Sequence, residues 1–226
     1  MNADFDLLAH RLRPARDDPE GALVLLHGRG TDEFDLLPLL DELDPARRLV
    51  GVTPRAPLEL SPGGFHWYIS RTVGYPDRDS FHQTYRLLAR WLDALPGALG
   101  VPWSRTVLGG FSMGSVMSYA LGLGAARPAP AGILALSGFI PTVDEFELNL
   151  TGRDGLPVAI GHGTQDPVIP VEYGRAARDQ LEAAGALVLY RESAMFHSID
   201  PIFIRVLANW LVDVIHPIQT PGRGYC

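Results

Sequence analysis

Short runs of apolar residues recur along this chain, separated by longer stretches whose apolar residues fall at helical spacing. That alternation belongs to parallel strands covered by helices, because a strand buried on both faces reads as a nearly continuous apolar run. The runs are Ala22 to His27, Leu49 to Thr53, Thr106 to Gly110, Ala131 to Ser137, Pro157 to Gly161 and Ala186 to Arg191, with a further strand within Phe5 to Arg13. Phe81, Tyr85, Leu88, Leu92 and Leu95 mark one helix, capped at Asp79 or Ser80 and stopped by Pro96-Gly97. Val171 to Ala184 forms another, with Gly185 as its stop, and Phe203, Val206, Leu207, Trp210 and Val214 mark a last one that Ser198 could cap. Pro38 either kinks the segment from Asp32 to Leu43 or delays its helix to near Asp35. The expected class is therefore α/β, a mostly parallel central sheet with helices on both faces in three αβα layers.

At 226 residues and 46% hydrophobic, the chain can bury one large core, and no compositional break divides it, so residues 1–226 are read as a single domain. The net charge of -7, with acids and bases interspersed, provides no footprint for nucleic acid or an anionic membrane. No stretch approaches the roughly 20 apolar residues of a membrane span and no secretory leader precedes the first strand, which points to the cytoplasm. Cys226 is the one cysteine and suits a reducing compartment. No metal-ligand spacing occurs, and neither metal nor cofactor is expected.

Two stretches break the alternation. Residues 53–78 hold four prolines and three glycines without periodicity, and a loop of that length in a compact domain is usually functional. It is read as a cover over a site, with Phe65, Trp67 and Tyr68 as its substrate-facing wall. Its exposed apolar residues could also pair two chains as a homodimer. Residues 216–226 read as a tail.

Gly110-Phe111-Ser112-Met113-Gly114 lies between an apolar run and a helix-compatible stretch. A G-x-S-x-G sequence there suggests a serine held exposed on a strand-to-helix turn so tight that a Cβ two residues away on either side would collide. A serine hydroxyl needs an imidazole to take its proton and a carboxylate to orient that imidazole. With a serine so placed, the acid and then the histidine follow in the chain, each after a strand. Asp166 and His197 hold those positions. Asp144, Asp154 and Glu192 remain alternatives for the acid, while His27 and His162 are read as braces for their loops. A tetrahedral oxyanion needs two converging amides: Met113, after the nucleophile, and Arg29, in the glycine-rich His27-Gly28-Arg29-Gly30.

Together with Leu25-Leu26-His27-Gly28-Arg29-Gly30, Gly63-Gly64-Phe65-His66-Trp67-Tyr68 and Gly161-His162-Gly163-Thr164-Gln165-Asp166-Pro167-Val168-Ile169-Pro170, the serine pentapeptide resembles the phospholipase/carboxylesterase family of α/β-hydrolases, which includes acyl-protein thioesterases. The likeness runs from about Ala22 to Val214. It implies the α/β-hydrolase fold, a Ser112, Asp166, His197 triad, an oxyanion hole of the Arg29 and Met113 amides, and a small-molecule ester or thioester as substrate. Three positions depart from the family: Arg29 stands where leucine is usual in animal members, Met113 where glutamine is frequent, and Phe196, beside His197, where glycine is common and where a phenylalanine would crowd the base. The expected activity is cleavage of carboxylic esters or thioesters of small to medium acyl groups through an acyl-serine. The alternatives are a lysophospholipase or other ester hydrolase on the same fold, and a binding module without turnover.

Overall fold

The structure is a computed structural model that describes residues 3–217. Cys226 and the tail beyond Pro217 lie outside the described residues.

Seven strands form the central sheet in the order β1-β3-β2-β8-β9-β10-β11. They are β1 (His10–Arg13), β2 (Gly21–Leu26), β3 (Leu49–Pro54), β8 (Thr106–Phe111), β9 (Gly132–Leu136), β10 (Pro157–Gly163) and β11 (Leu187–Ser193). Only β1 is antiparallel, pairing with β3 from His10↔Pro54 to Arg13↔Gly51; β3, β2, β8, β9, β10 and β11 run parallel. From β2 the chain winds outward to β3, then returns across β2 to β8 and proceeds the other way. The strand order thus reverses between β2 and β8, and the carboxyl ends there open the crevice where α/β sheets bind ligands.

Alternate side chains of each strand serve opposite cores. Val24 and Leu26 of β2, with Leu108 of β8, pack with α2 (Arg78–Leu99) and α3 (Met113–Leu123). Leu23 and Leu25, with Val107, Leu134 and Ala159, pack on the other face with α1 (Leu39–Leu43) and α5 (Pro201–Ile215). Ile133, Val158 and Ile160 meet α3 and α4 (Val171–Ala183). The expected layers of helix, parallel sheet and helix are all present, and among the described residues no helix is long and apolar enough to cross a membrane.

Residues 53–78 are not structureless. They hold two small antiparallel ladders, β4 (Leu58–Glu59) with β5 (Phe65–His66) and β6 (Ser70–Thr72) with β7 (Tyr75–Pro76).

Three helices differ from expectation at their ends. α2 is capped by Asp77, which accepts from the Ser80 N–H at 3.0 Å, and it continues through Pro96 to end at Gly100, with φ of 69°. Proline's missing N–H removes a single bond in the last turn, and buried Leu95 holds that turn to the core. α1 starts only at Leu39, after Pro38. α5 is capped by Asp200, not Ser198, with Pro201 in its first turn, where a missing N–H costs nothing.

Asp200 carries more than the cap. Its Oδ1 accepts from Ile202 N–H at 2.8 Å, and its Oδ2 from Arg191 Nε at 2.8 Å and Ser193 Oγ at 2.5 Å. Burial works to raise its pKa, but the hydrogen bonds from Ser193 and Arg191 prevail and hold it down at about 2. A folded-state value below the unfolded one means that the carboxylate's stabilisation is complete above the ordinary carboxyl range and fades as pH falls towards 2. Asp200→Asn should therefore cost about 1 to 2 kcal/mol near neutrality. Denaturant titrations of both proteins should show that gap closing in acid; an equal gap at both pH extremes would refute this account.

Candidate active site

Ser112 sits between the end of β8 and the start of α3, on the β2–β8 side of the sheet. Its φ of 55° and ψ of -119° lie outside the regions that side chains favour, so the surroundings must hold it there. Its N–H donates to Leu136 O at 2.8 Å. The glycines on either side explain how the turn closes. A Cβ on Gly110 would overlap the Gly114 backbone, and one on Gly114 would overlap the carbonyl oxygens of Leu26 and His27.

His197 Nε2 stands 2.9 Å from Ser112 Oγ, and His197 Nδ1 stands 2.6 Å from Asp166 Oδ2. Asp166 Oδ1 is occupied by the amides of Val168 and Ile169 at 2.8 and 2.9 Å, which fixes the fully buried carboxyl and reserves Oδ2 for the imidazole. With Nδ1–H donating to that carboxylate, Nε2 is left with a lone pair facing the serine hydroxyl and chemically able to accept its proton. The alternative acid Glu192 is spent elsewhere, accepting from Arg175 at 2.8 and 2.7 Å and from the Tyr190 hydroxyl at 2.9 Å. Phe196 does not crowd His197; the residue turns outward and is 67% exposed. The ring that touches His197 is Phe111, with centroids 4.7 Å apart.

The two other histidines brace loops. His27 Nε2 accepts from Ala56 N–H at 3.0 Å, so the proton sits on Nδ1 and goes to Gly28 O at 2.7 Å. His162 donates from Nε2 to Ile169 O at 2.8 Å, behind Asp166. Burial pushes both imidazoles below the ordinary histidine range, which favours their neutral forms.

Arg29 and Met113 face the same cavity as Ser112. Met113 opens α3, where its N–H finds no acceptor within the helix and the helix dipole favours negative charge. Residues 27–31 are held by the segment 53–78: Gly30 N–H donates to Phe65 O at 2.8 Å and Phe65 N–H to Thr31 O at 2.9 Å. The Arg55 guanidinium lies 4.6 Å over the Phe65 ring and grips buried Glu33 at 2.6 and 2.7 Å. That grip holds the Glu33 carboxyl below its usual range.

The cavity beside Ser112 has a volume of about 370 Å³, walled by Tyr68, Val73, Phe139, Val168 and Ile169 with Ser70 and Thr72 at hand. Of the three aromatic residues expected to face substrate, Tyr68 lines this cavity, whereas Phe65 and Trp67 do not. Trp67 is fully buried. Its indole N–H donates to His27 O at 2.8 Å and its backbone N–H to Met113 Sδ at 3.4 Å, tying the two amide-bearing segments together. The cavity also recruits residues not foreseen. Val168 and Ile169 follow Asp166 and Pro167 in the same motif, and Phe139 lies just beyond β9, so all three stand past strand ends where a site was to be sought.

Over residues 10–215 the chain matches the phospholipase/carboxylesterase family. It is 31% identical to the acyl-protein thioesterase 1 of Yarrowia lipolytica, across 74% of this chain and 78% of that protein. With the acyl-protein thioesterase 1 of Candida albicans the identity is 27%, across 88% and 91%. Among solved structures, a carboxylesterase from Mesorhizobium loti superposes with a TM-score of 0.80 at 22% identity, covering 91% of this chain and 95% of that one. The Bacillus cereus carboxylesterase gives 0.79 at 22% identity, with coverage of 92% and 94%.

Proposed function

This chain belongs to the phospholipase/carboxylesterase family, and on that premise we propose that Ser112, His197 and Asp166 are its catalytic triad and the amides of Arg29 and Met113 its oxyanion hole. The chain is a serine hydrolase of the ester and thioester class, acting on small-molecule acyl substrates. The single observation that carries the assignment of residues is the unbroken contact from Ser112 Oγ through the imidazole of His197 to Asp166.

In this reading Ser112 Oγ attacks the acyl carbonyl carbon while His197 Nε2 takes its proton. The carbonyl oxygen becomes an oxyanion and accepts from the Arg29 and Met113 amides, near the positive end of α3. Asp166 keeps the imidazole's tautomer and steadies its charge. Collapse breaks the bond to the alcohol or thiol, which leaves with the proton from Nε2. Water then gives a proton to His197, attacks the acyl-serine and releases the acid, restoring Ser112. A cavity of about 370 Å³ supports acyl groups of small to medium size. Every group needed lies in one chain, and the reading is of a single cytoplasmic hydrolase domain without metal or cofactor.

A fluorophosphonate probe tests it, because such a probe labels only a serine that a neighbouring base activates. The wild type should label to one equivalent and Ser112→Ala not at all; an unlabelled wild type, or a variant that still labels, would refute the assignment.

A further inference from the structure

We infer that the Arg29 side chain is a carboxylate-binding subsite, so that the preferred acyl groups end in a negative charge. The inference rests on the hydrolase reading given above and names its substrate class.

Four observations converge on it. Arg29 lines the cavity that holds Ser112, and among the described residues of that lining it is the only charged one. It is exposed, so its guanidinium is reachable from solvent. Among the described residues no carboxylate lies within 4.0 Å of it. The acids on the turn that follows are already engaged. Asp32 Oδ1 accepts from Phe34 N–H at 2.9 Å, Asp35 Oδ2 from Thr31 Oγ at 3.1 Å, and Glu33 is gripped by Arg55.

An arginine lining a largely apolar cavity offers a planar fork suited to carboxylate. No internal ion pair has to break before it binds one. The Thr72 hydroxyl on the same lining adds a further donor. Placement on the oxyanion turn also limits length. One residue would supply both an amide to the reacting carbonyl and a guanidinium to the far end of the acyl group. The spacing between carbonyl and carboxylate is therefore limited to an extended arginine side chain plus one hydrogen bond at each end, a span that accommodates diacid half-esters of roughly four to six carbons. The neutral wall of Tyr68, Val73 and Phe139 takes the methylenes between.

The test compares p-nitrophenyl hemiglutarate, which carries the charge, with p-nitrophenyl valerate, which matches its chain length without it. Both rates are corrected for uncatalysed hydrolysis. For the wild type, the ratio of kcat/KM values should favour the hemiglutarate by about tenfold or more at low salt and shrink as salt is added. Arg29→Gln should lower that ratio about tenfold, and Arg29→Lys should retain part of it. Because both esters are read on the same variant, any disturbance of the oxyanion turn cancels in the ratio. Turnover of the valerate with no preference for the hemiglutarate, or a preference unchanged in Arg29→Gln, overturns this inference alone. A wild type that cleaves neither ester overturns the hydrolase reading and the inference with it.

Discussion

Ser112→Ala and His197→Ala should each reduce kcat by about 10⁴- to 10⁶-fold, and the double variant should be no worse than either. The reason lies in the 2.9 Å contact between Ser112 Oγ and His197 Nε2. Without the imidazole the hydroxyl keeps its proton and is a poor nucleophile, and without the hydroxyl the imidazole has nothing to activate but water. The pair therefore fails as one unit, and the small remaining rate comes from the oxyanion donors and from binding. Steady-state kinetics on a neutral p-nitrophenyl ester measures this, with each variant checked for native circular dichroism. Losses that multiply in the double variant would mean that the two residues act independently, against the reading proposed for this site.

Gly114→Ala should unseat the fold as well as the chemistry. The added methyl would overlap the carbonyl oxygens of Leu26 and His27, which are backbone atoms and cannot rotate aside. Leu26 ends a strand paired on both edges, with β3 and with β8, so the yielding element must be α3. Moving α3 moves Met113 and the strained Ser112 with it. A loss of about 3 kcal/mol or more is expected, seen as low soluble yield or a thermal midpoint depressed by several degrees. Gly63→Ala is the control, since a Cβ there meets nothing within 4 Å. A Gly114→Ala protein as stable and active as the control would show that the turn has slack that its packing does not suggest.

The main strands were legible because parallel strands, buried on both faces, leave uninterrupted apolar runs. Pro157 to Gly161, for example, is the start of the observed Pro157–Gly163. That Ser112, Asp166 and His197 meet was legible from chain order and from each one's place after an apolar run. Caps were less so. Asp77, Asp79 and Ser80 are all suited to capping α2, and the tertiary path of the chain chooses Asp77 among them. Trp67 could not have been assigned from its neighbours, which lack periodicity. Its position is decided by His27 O and Met113 Sδ, 40 and 46 residues away in the chain. The clamp of Arg55 on Phe65 and Glu33 escapes sequence reasoning for the same reason: long-range contacts, not local pattern, select its members.

All eleven residues of α3, from Met113 to Leu123, are buried. Ser112 is thus anchored to a segment whose amides can meet deuterium only when much of the molecule opens. His197, by contrast, hangs from a surface loop between β11 and α5, next to the outward-turned Phe196. Ser112 and His197, the proposed reactive pair, therefore belong to regions of unequal resilience. On gradual warming, turnover can be lost through fraying around the imidazole while the interior that carries Ser112 is still intact, and cooling at that stage would restore it.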